Sequence, residues 1–216
     1  MNEDKKKIDI KAYIREHWKR IVLCFVAVFG MGFFLSFLVL CNLGTDPFTF
    51  MNLSISAKIG LSLGNWQLIL NVIMLVVVII ANRKLIGLGT IFNMVLIGYY
   101  VDFFDWVWGK VIPETVFTNP VSCGIVYAIA LIGFVISAAL YMNAEVGVSP
   151  YDACSQILAD VFHKIPFFIV RIVYDFTAIG IGLLAGGKPI IGIILMAILL
   201  GPVVSFVGKR LNGHKE

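Results

Sequence analysis

Long, nearly unbroken apolar runs alternate along this chain with short stretches of glycine, proline and charge. A helix rising ~1.5 Å per residue needs about 20 mostly apolar residues to cross a ~30 Å hydrocarbon core. Five runs reach or approach that length: Ile21–Cys41, Leu85–Trp108, Val121–Met142, Pro166–Ala185 and Pro189–Val207. A sixth, Trp66–Ala81, is shorter and almost wholly apolar. Barrel strands would alternate in character over about ten residues, and runs such as Ile69–Ile80 do not. The pattern predicts an all-α, polytopic membrane bundle of about six transmembrane helices in one domain.

Composition agrees and excludes other classes. Of the 216 residues, 60% are apolar and 14% charged, whereas a soluble domain carries about 25% charged residues to cover its surface. A soluble enzyme, a nucleic-acid-binding domain and a disordered regulator are therefore excluded. The placement of charge sets orientation. Lys5, Lys6, Lys7, Lys11, Arg15, Lys19 and Arg20 crowd the first twenty residues, and positive-inside bias puts that end in the cytoplasm. Six spans then place 13 Lys/Arg inside and three, Lys58, Lys110 and Lys188, outside. The expectation is a plasma (inner) membrane protein with both termini cytoplasmic and no cleaved signal peptide, since Ile21–Cys41 far exceeds a 7–15-residue signal core. Ile10, Ile14 and Trp18 at helical spacing read as an amphipathic helix lying on the anionic inner leaflet; a solvated basic tail fits the same residues. Cys24, Cys41, Cys123 and Cys154 have no metal-ligand spacing. Cys41 and Cys123 fall near expected outer helix ends, where they are either a disulfide or small buried hydrophobes.

The chain also contains an internal echo. Asn42-Leu43-Gly44-Thr45-Asp46-Pro47-Phe48 recurs 103 residues later as Glu145-Val146-Gly147-Val148-Ser149-Pro150-Tyr151. The same offset pairs Gly30 with Gly133, Gly89 with Gly192 and Gly98 with Gly201. An offset of 104 pairs Gln67 with Arg171, Asn71 with Asp175 and Lys84 with Lys188. This divides the chain into a basic segment (1–20), a first repeat (21–108), an external loop (109–120), a second repeat (121–208) and a tail (209–216). NLGTDPF, the following LSLGNWQLILN, the IGLGT after Arg83–Lys84, and GVSPYDA resemble the YczE/YyaS/YitT-like family of bacterial membrane proteins, in its short YczE-like branch. The resemblance implies an architecture and a membrane location, and no catalytic or substrate residue.

Two topologies fit the repeat. If Pro47–Gly64 and Pro150–Ile165 are re-entrant or interfacial, each half has three spans and the halves are inverted, a recurrent transporter plan with its site between repeats. If both cross, the halves are parallel with four spans each. Asp152, Gln156, Asp160, His163 and Lys164 in the second segment favour re-entry, because such density of polar groups is costly against lipid.

Two constellations are candidates for function. Gly44 and Gly147 break the preceding helices, Asp46 and Ser149 are suited to N-cap positions, and Pro47 and Pro150 suit the first helical position. Ser149-x-x-Asp152 is close to a capping box. Two short helices would then present N-terminal N–H groups either to an anion or simply to a sharp turn. Arg171 and Asp175 lie one turn apart inside an apolar run and share a face; buried ions of this kind face a bundle interior. Their mates Gln67 and Asn71 are an amide pair, and Asn93 belongs to the same polar interior. Arg171 would contact an anionic solute with Asp175 as its partner, or the pair would be an interhelical clamp. Asp102, Asp105 and Glu145, near span ends, read as solvated. No catalytic, metal or cofactor arrangement is legible, so an enzyme is not expected. The functional expectation is a small-solute permease. The alternatives are a non-transporting regulatory or assembly protein and a substrate-capture subunit of a larger transporter. The expected partners are the bilayer and a small, anionic solute, with no nucleic acid; a homo-oligomer or partner subunits remain open.

Overall fold

A computed structural model describes residues 10–188, 190 and 192–198. It contains α1 (Ile10–Cys41), α2 (Pro47–Ile59), α3 (Leu63–Asn82), α4 (Leu88–Val111), the single turn α5 (Thr115–Thr118), α6 (Pro120–Asn143), α7 (Pro150–Val161) and α8 (Phe167–Leu184). Residues 192–198 are helical as well, and no strand occurs among the described residues. Among the described residues, four helical stretches are long and apolar enough to cross a membrane: Ile14–Cys41, Leu63–Leu85, Pro120–Asn143 and Phe167–Leu184. The basic segment 1–9, most of the expected last span Pro189–Val207 and the tail 209–216 lie outside the described residues.

The solvent for which the fold is built is evident on α3. Gln67 and Asn71 are 2% and 1% exposed, while Ile73 and Ile80 on the other face are 57% and 81% exposed. In water this helix would be inside out. Beside hydrocarbon it is favourable, because polar groups must find partners within the protein and apolar groups need none. α1 packs along α4 and α6, α3 along α4 and α7, and α2 along α8.

Two expectations shift. The residues expected to lie along the inner leaflet are instead the opening turns of α1, which runs without a break from Ile10 to Cys41; the apolar spacing of Ile10, Ile14 and Trp18 continues in phase into the span. The fourth helix starts at Leu88 rather than Leu85, because Arg83–Leu85 form a 3-10 turn. α4 has the length to cross, 24 residues, although Asn93, Asp102 and Asp105 dilute its apolar character. Cys41 and Cys123 are free and buried, each thiol facing the other residue's carbonyl at 3.5–3.6 Å.

The short helices begin as their sequences require. Asp46 caps α2 by accepting the Thr49 N–H at 3.0 Å, and Ser149 caps α7 by accepting the Asp152 N–H at 3.0 Å. Pro47 and Pro150 occupy the first turns, where a missing N–H leaves no bond unmade. At 13 and 12 residues, α2 and α7 are about 20 and 18 Å long, too short for a ~30 Å core. Their directions follow from contacts along α8. A Cβ on Gly182 would meet the Phe50 ring at 2.6 Å, and Ser54, one turn further along α2, lies beside Gly187. Tyr151 meets Asp175 and Ser155 meets Arg171. Thus α2 leaves the middle of α8 toward Leu184, whereas α7 leaves it toward Phe167. The two N-termini touch, with the Phe48 and Tyr151 rings 4.3 Å apart.

The loops that deliver the chain to these starts need glycine. Gly44 and Gly147 have φ of +122° and +105°. A Cβ on Gly147 would lie 2.5 Å from the Gly87 nitrogen, where the Gly89 N–H donates to the Val146 carbonyl at 2.8 Å. Gly147→Ala is therefore expected to destabilise the protein by about 1–3 kcal/mol from backbone conformation alone, with the clash added. Gly180→Ala, where a Cβ meets nothing within 4 Å, is expected to leave stability unchanged or raise it slightly. Thermal unfolding of the two purified variants in detergent checks this; equal melting temperatures would contradict it.

Candidate functional site

Where α2, α7 and α8 meet lies a partly open cavity of about 500 Å³, with the exposed Phe168 and Ile198 on its lining. Asp46 and Thr49 reach it from the start of α2, Ser149, Tyr151 and Asp152 from the start of α7, and Arg171 and Asp175 from α8. Gln67 of α3 and Asn93 of α4 complete its polar wall. The rest is apolar, including Met31, Phe48, Ile97 and Phe134.

Arg171 organises the polar wall. Its Nη1 contacts Asp152 Oδ1 at 2.5 Å and donates to Ser155 Oγ at 3.3 Å. Its Nε donates to Asp175 Oδ2 at 3.1 Å, and its guanidinium carbon sits 5.2 Å from the Tyr151 ring centre. The Tyr151 hydroxyl donates to Asp175 Oδ1 at 2.8 Å, and the Ser149 hydroxyl donates to Asp152 Oδ2 at 2.7 Å. The side chains of Arg171, Asp152 and Asp175 are 20%, 15% and 7% exposed. Such charges survive burial because each is both paired and hydrogen-bonded. Asp46 differs. It is half-buried at the wall and is hydrogen-bonded by Thr49.

The polar residues expected from sequence that converge on the cavity are Asp46, Gln67, Asn93, Ser149, Asp152, Arg171 and Asp175. The others serve it from behind or not at all. Pro47 and Pro150 are buried beneath the helix starts, and Gly147 backs onto Gly87. Gly44 borders a separate cavity with Lys58 and Lys188. Asn71 is buried outside the wall, its amide donating to the Met94 carbonyl at 3.5 Å. The anionic group expected to meet Arg171 is pre-empted by the protein's own carboxylates, of which Asp152 makes the shorter contact. Sequence spacing hid Asp152, 19 residues from Arg171, behind the adjacent Asp175. Tyr151, expected at the site as the end of the second motif, lines the cavity opposite Phe48; its hydroxyl bond to Asp175 was not legible from spacing. Asp160, His163 and Lys164 are exposed toward the far end of α7. Two residues expected to be solvated are partnered: Asp102 accepts the Gly64 N–H at 2.8 Å, and Glu145 pairs with Arg20 at 2.7 Å.

Removing one member of a buried ion cluster strands the rest, typically at about 3–5 kcal/mol. Arg171→Ala, which leaves Asp152 and Asp175 facing each other, is expected to lower the melting temperature most. Combining Arg171→Leu with Asp152→Asn and Asp175→Asn is expected to recover much of the loss. A single Arg171→Ala variant that melts like wild type would contradict the cluster.

Residues 18–209 match the model of a family of unknown function, DUF6198. The chain is 26% identical over 202 residues to Bacillus subtilis (strain 168) YyaS, described as an uncharacterised protein, covering 88% of this chain and 96% of that one. It is 28% identical over 166 residues to YczE of the same organism, described as an uncharacterised membrane protein, covering 76% and 73%. An uncharacterised protein of Haemophilus influenzae (strain ATCC 51907 / DSM 11121 / KW20 / Rd) is 27% identical over 186 residues, covering 86% and 81%. No solved structure matches. The resemblance read from the Gly-x-[Asp/Ser]-Pro motifs therefore holds: this is a membrane protein of the YczE/YyaS-like kind, and the chain belongs to the DUF6198 family.

Proposed function

We propose that the protein is a small-solute permease whose site is the cavity between two inverted repeats. In this reading α1, α3, α4, α6, α8 and the run 189–207 cross the membrane, both termini are cytoplasmic, and α2 and α7 are re-entrant. Each re-entrant segment enters as extended chain and returns as a helix, α2 toward the outer surface and α7 toward the inner one.

Reciprocal contacts support the repeat. In a two-fold arrangement, if residue i meets the mate of j, then j meets the mate of i. A Cβ on Gly30 would meet Ser137, and one on Gly133 would meet Phe34. Gly44 backs onto Gly192–Ile193, as Gly147 backs onto Gly87, and Gly89 contacts Gly147. Asn42 and Glu145 share a left-handed conformation, with φ of 50° and 56°. α2 lies on α8 while α7 lies on α3, and the mates Phe48 and Tyr151 stack where the halves meet.

The observation that carries the functional reading is a partly open, charged cavity at the meeting point of two half-length helices. Non-helical backbone at membrane depth is tolerated where it is buried or lines a cavity, and midplane sites at broken helices suit alternating access. A protein that only clamps helices needs the ion cluster but not the space beside it.

The test is access. In a background without the four native cysteines, Thr49→Cys and Ala138→Cys place thiols on the cavity wall. Membrane-impermeant methanethiosulfonates are expected to label both positions from either side, in right-side-out and inverted vesicles. Labelling from one side alone, or from neither, would contradict a permease.

A further inference from the structure

We propose that the cavity takes a compact organic cation, an ammonium group on an apolar body, with the Asp46 carboxylate as its counter-charge. This rests on the solute-site reading above and assigns its substrate class.

The charges on the wall point that way. Among the described lining residues there are three carboxylates, Asp46, Asp152 and Asp175, and one guanidinium, with no lysine or histidine. Arg171 is held by two of the carboxylates, so an arriving anion would have to displace one of them. Asp46 is hydrogen-bonded by Thr49, through its N–H and its side chain, and has no ion-pair partner among the described residues. The two helix N-termini oppose a cation, but each carries only about half a positive charge. Together they cancel about one of the two excess negative charges and leave the wall acidic.

The remaining wall suits the rest of such a molecule. Phe48 and Phe134 present aromatic surface, and the ring quadrupole attracts a desolvated cation over its face. The largely apolar lining and a volume near 500 Å³ fit an organic body rather than a bare metal ion, lying within the roughly 300–1,000 Å³ of small-molecule sites.

The experiment uses three probes of one shape and different charge: phenethylammonium, phenethyl alcohol and phenylacetate. Each is titrated into the purified full-length chain in detergent, by calorimetry and saturation-transfer NMR. The ammonium is expected to bind at least about tenfold tighter than the other two, a difference of roughly 1.4 kcal/mol. Asp46→Asn is expected to remove that preference while keeping the melting temperature, because asparagine caps a helix about as well as aspartate. Phenylacetate binding tightest, or the alcohol binding equally well, would overturn the cation assignment and leave the solute site standing. Ammonium binding unchanged in Asp46→Asn would overturn the anchor. Failure of all three probes to bind would overturn the assignment; the thiol-labelling test then decides separately whether the cavity is a transport site.

Discussion

An arginine inside an apolar bundle has nowhere to put its charge except against carboxylates of its own chain, and that constraint organises the centre of this molecule. Arg171 bridges Asp152 on α7 and Asp175 on α8. The bridge holds a 12-residue helix, too short to cross the bilayer, against a helix long enough to do so. With α7 held there, Tyr151 stacks on Phe48, the start of α2 is brought to the same place, and the space left between the starts is the cavity. The Ser149 hydroxyl extends the network to the helix cap by donating to Asp152. The polar core is thus continuous from an N-cap through an ion triad to a tyrosine.

Around that centre the protein solves a packing problem set by hydrocarbon. Lipid tails are as apolar as leucine, so burying isoleucine or valine gains little, and close helix approach matters more. The outward faces of α3 and α8 remain apolar and exposed, while small residues sit where backbones touch. Gly98 lies against Gly64, and Gly32 accommodates Tyr100. Aromatic side chains of α1 and α4 interlock from Phe25–Phe92 to Phe37–Trp108. These helices back the cavity and supply part of its wall, and the two short helices and α8 supply its charged groups.

Much of this was legible in the chain. The apolar runs located the long helices, and the Asp-Pro and Ser-Pro pairs located the starts of the short ones through capping chemistry that is local and therefore readable. Arg171 and Asp175, one turn apart, announced a buried ion pair. What sequence could not supply were the relations created by folding. Asp152 reaches Arg171 across a helix turn and an intervening loop. Tyr151 looks like any aromatic in an apolar setting until its hydroxyl is seen on Asp175. Asn71, matched to Asp175 by repeat offset, turns to the Met94 carbonyl instead of the cavity because α4 lies beside it. The opening turns of α1 satisfy a surface-helix pattern and a continuous-helix pattern alike, and the helix runs on without a break from Ile10 to Cys41.

The central claim is that the starts of two half-length helices meet beside Arg171. In a background without native cysteines, Phe48→Cys and Tyr151→Cys place one thiol at each start. Treating membranes with a short bis-methanethiosulfonate and then cleaving the loop after α4 reads out their proximity. The account predicts that the two fragments remain joined until reduced. Fragments that separate without reduction, with both thiols shown to have reacted, would contradict it.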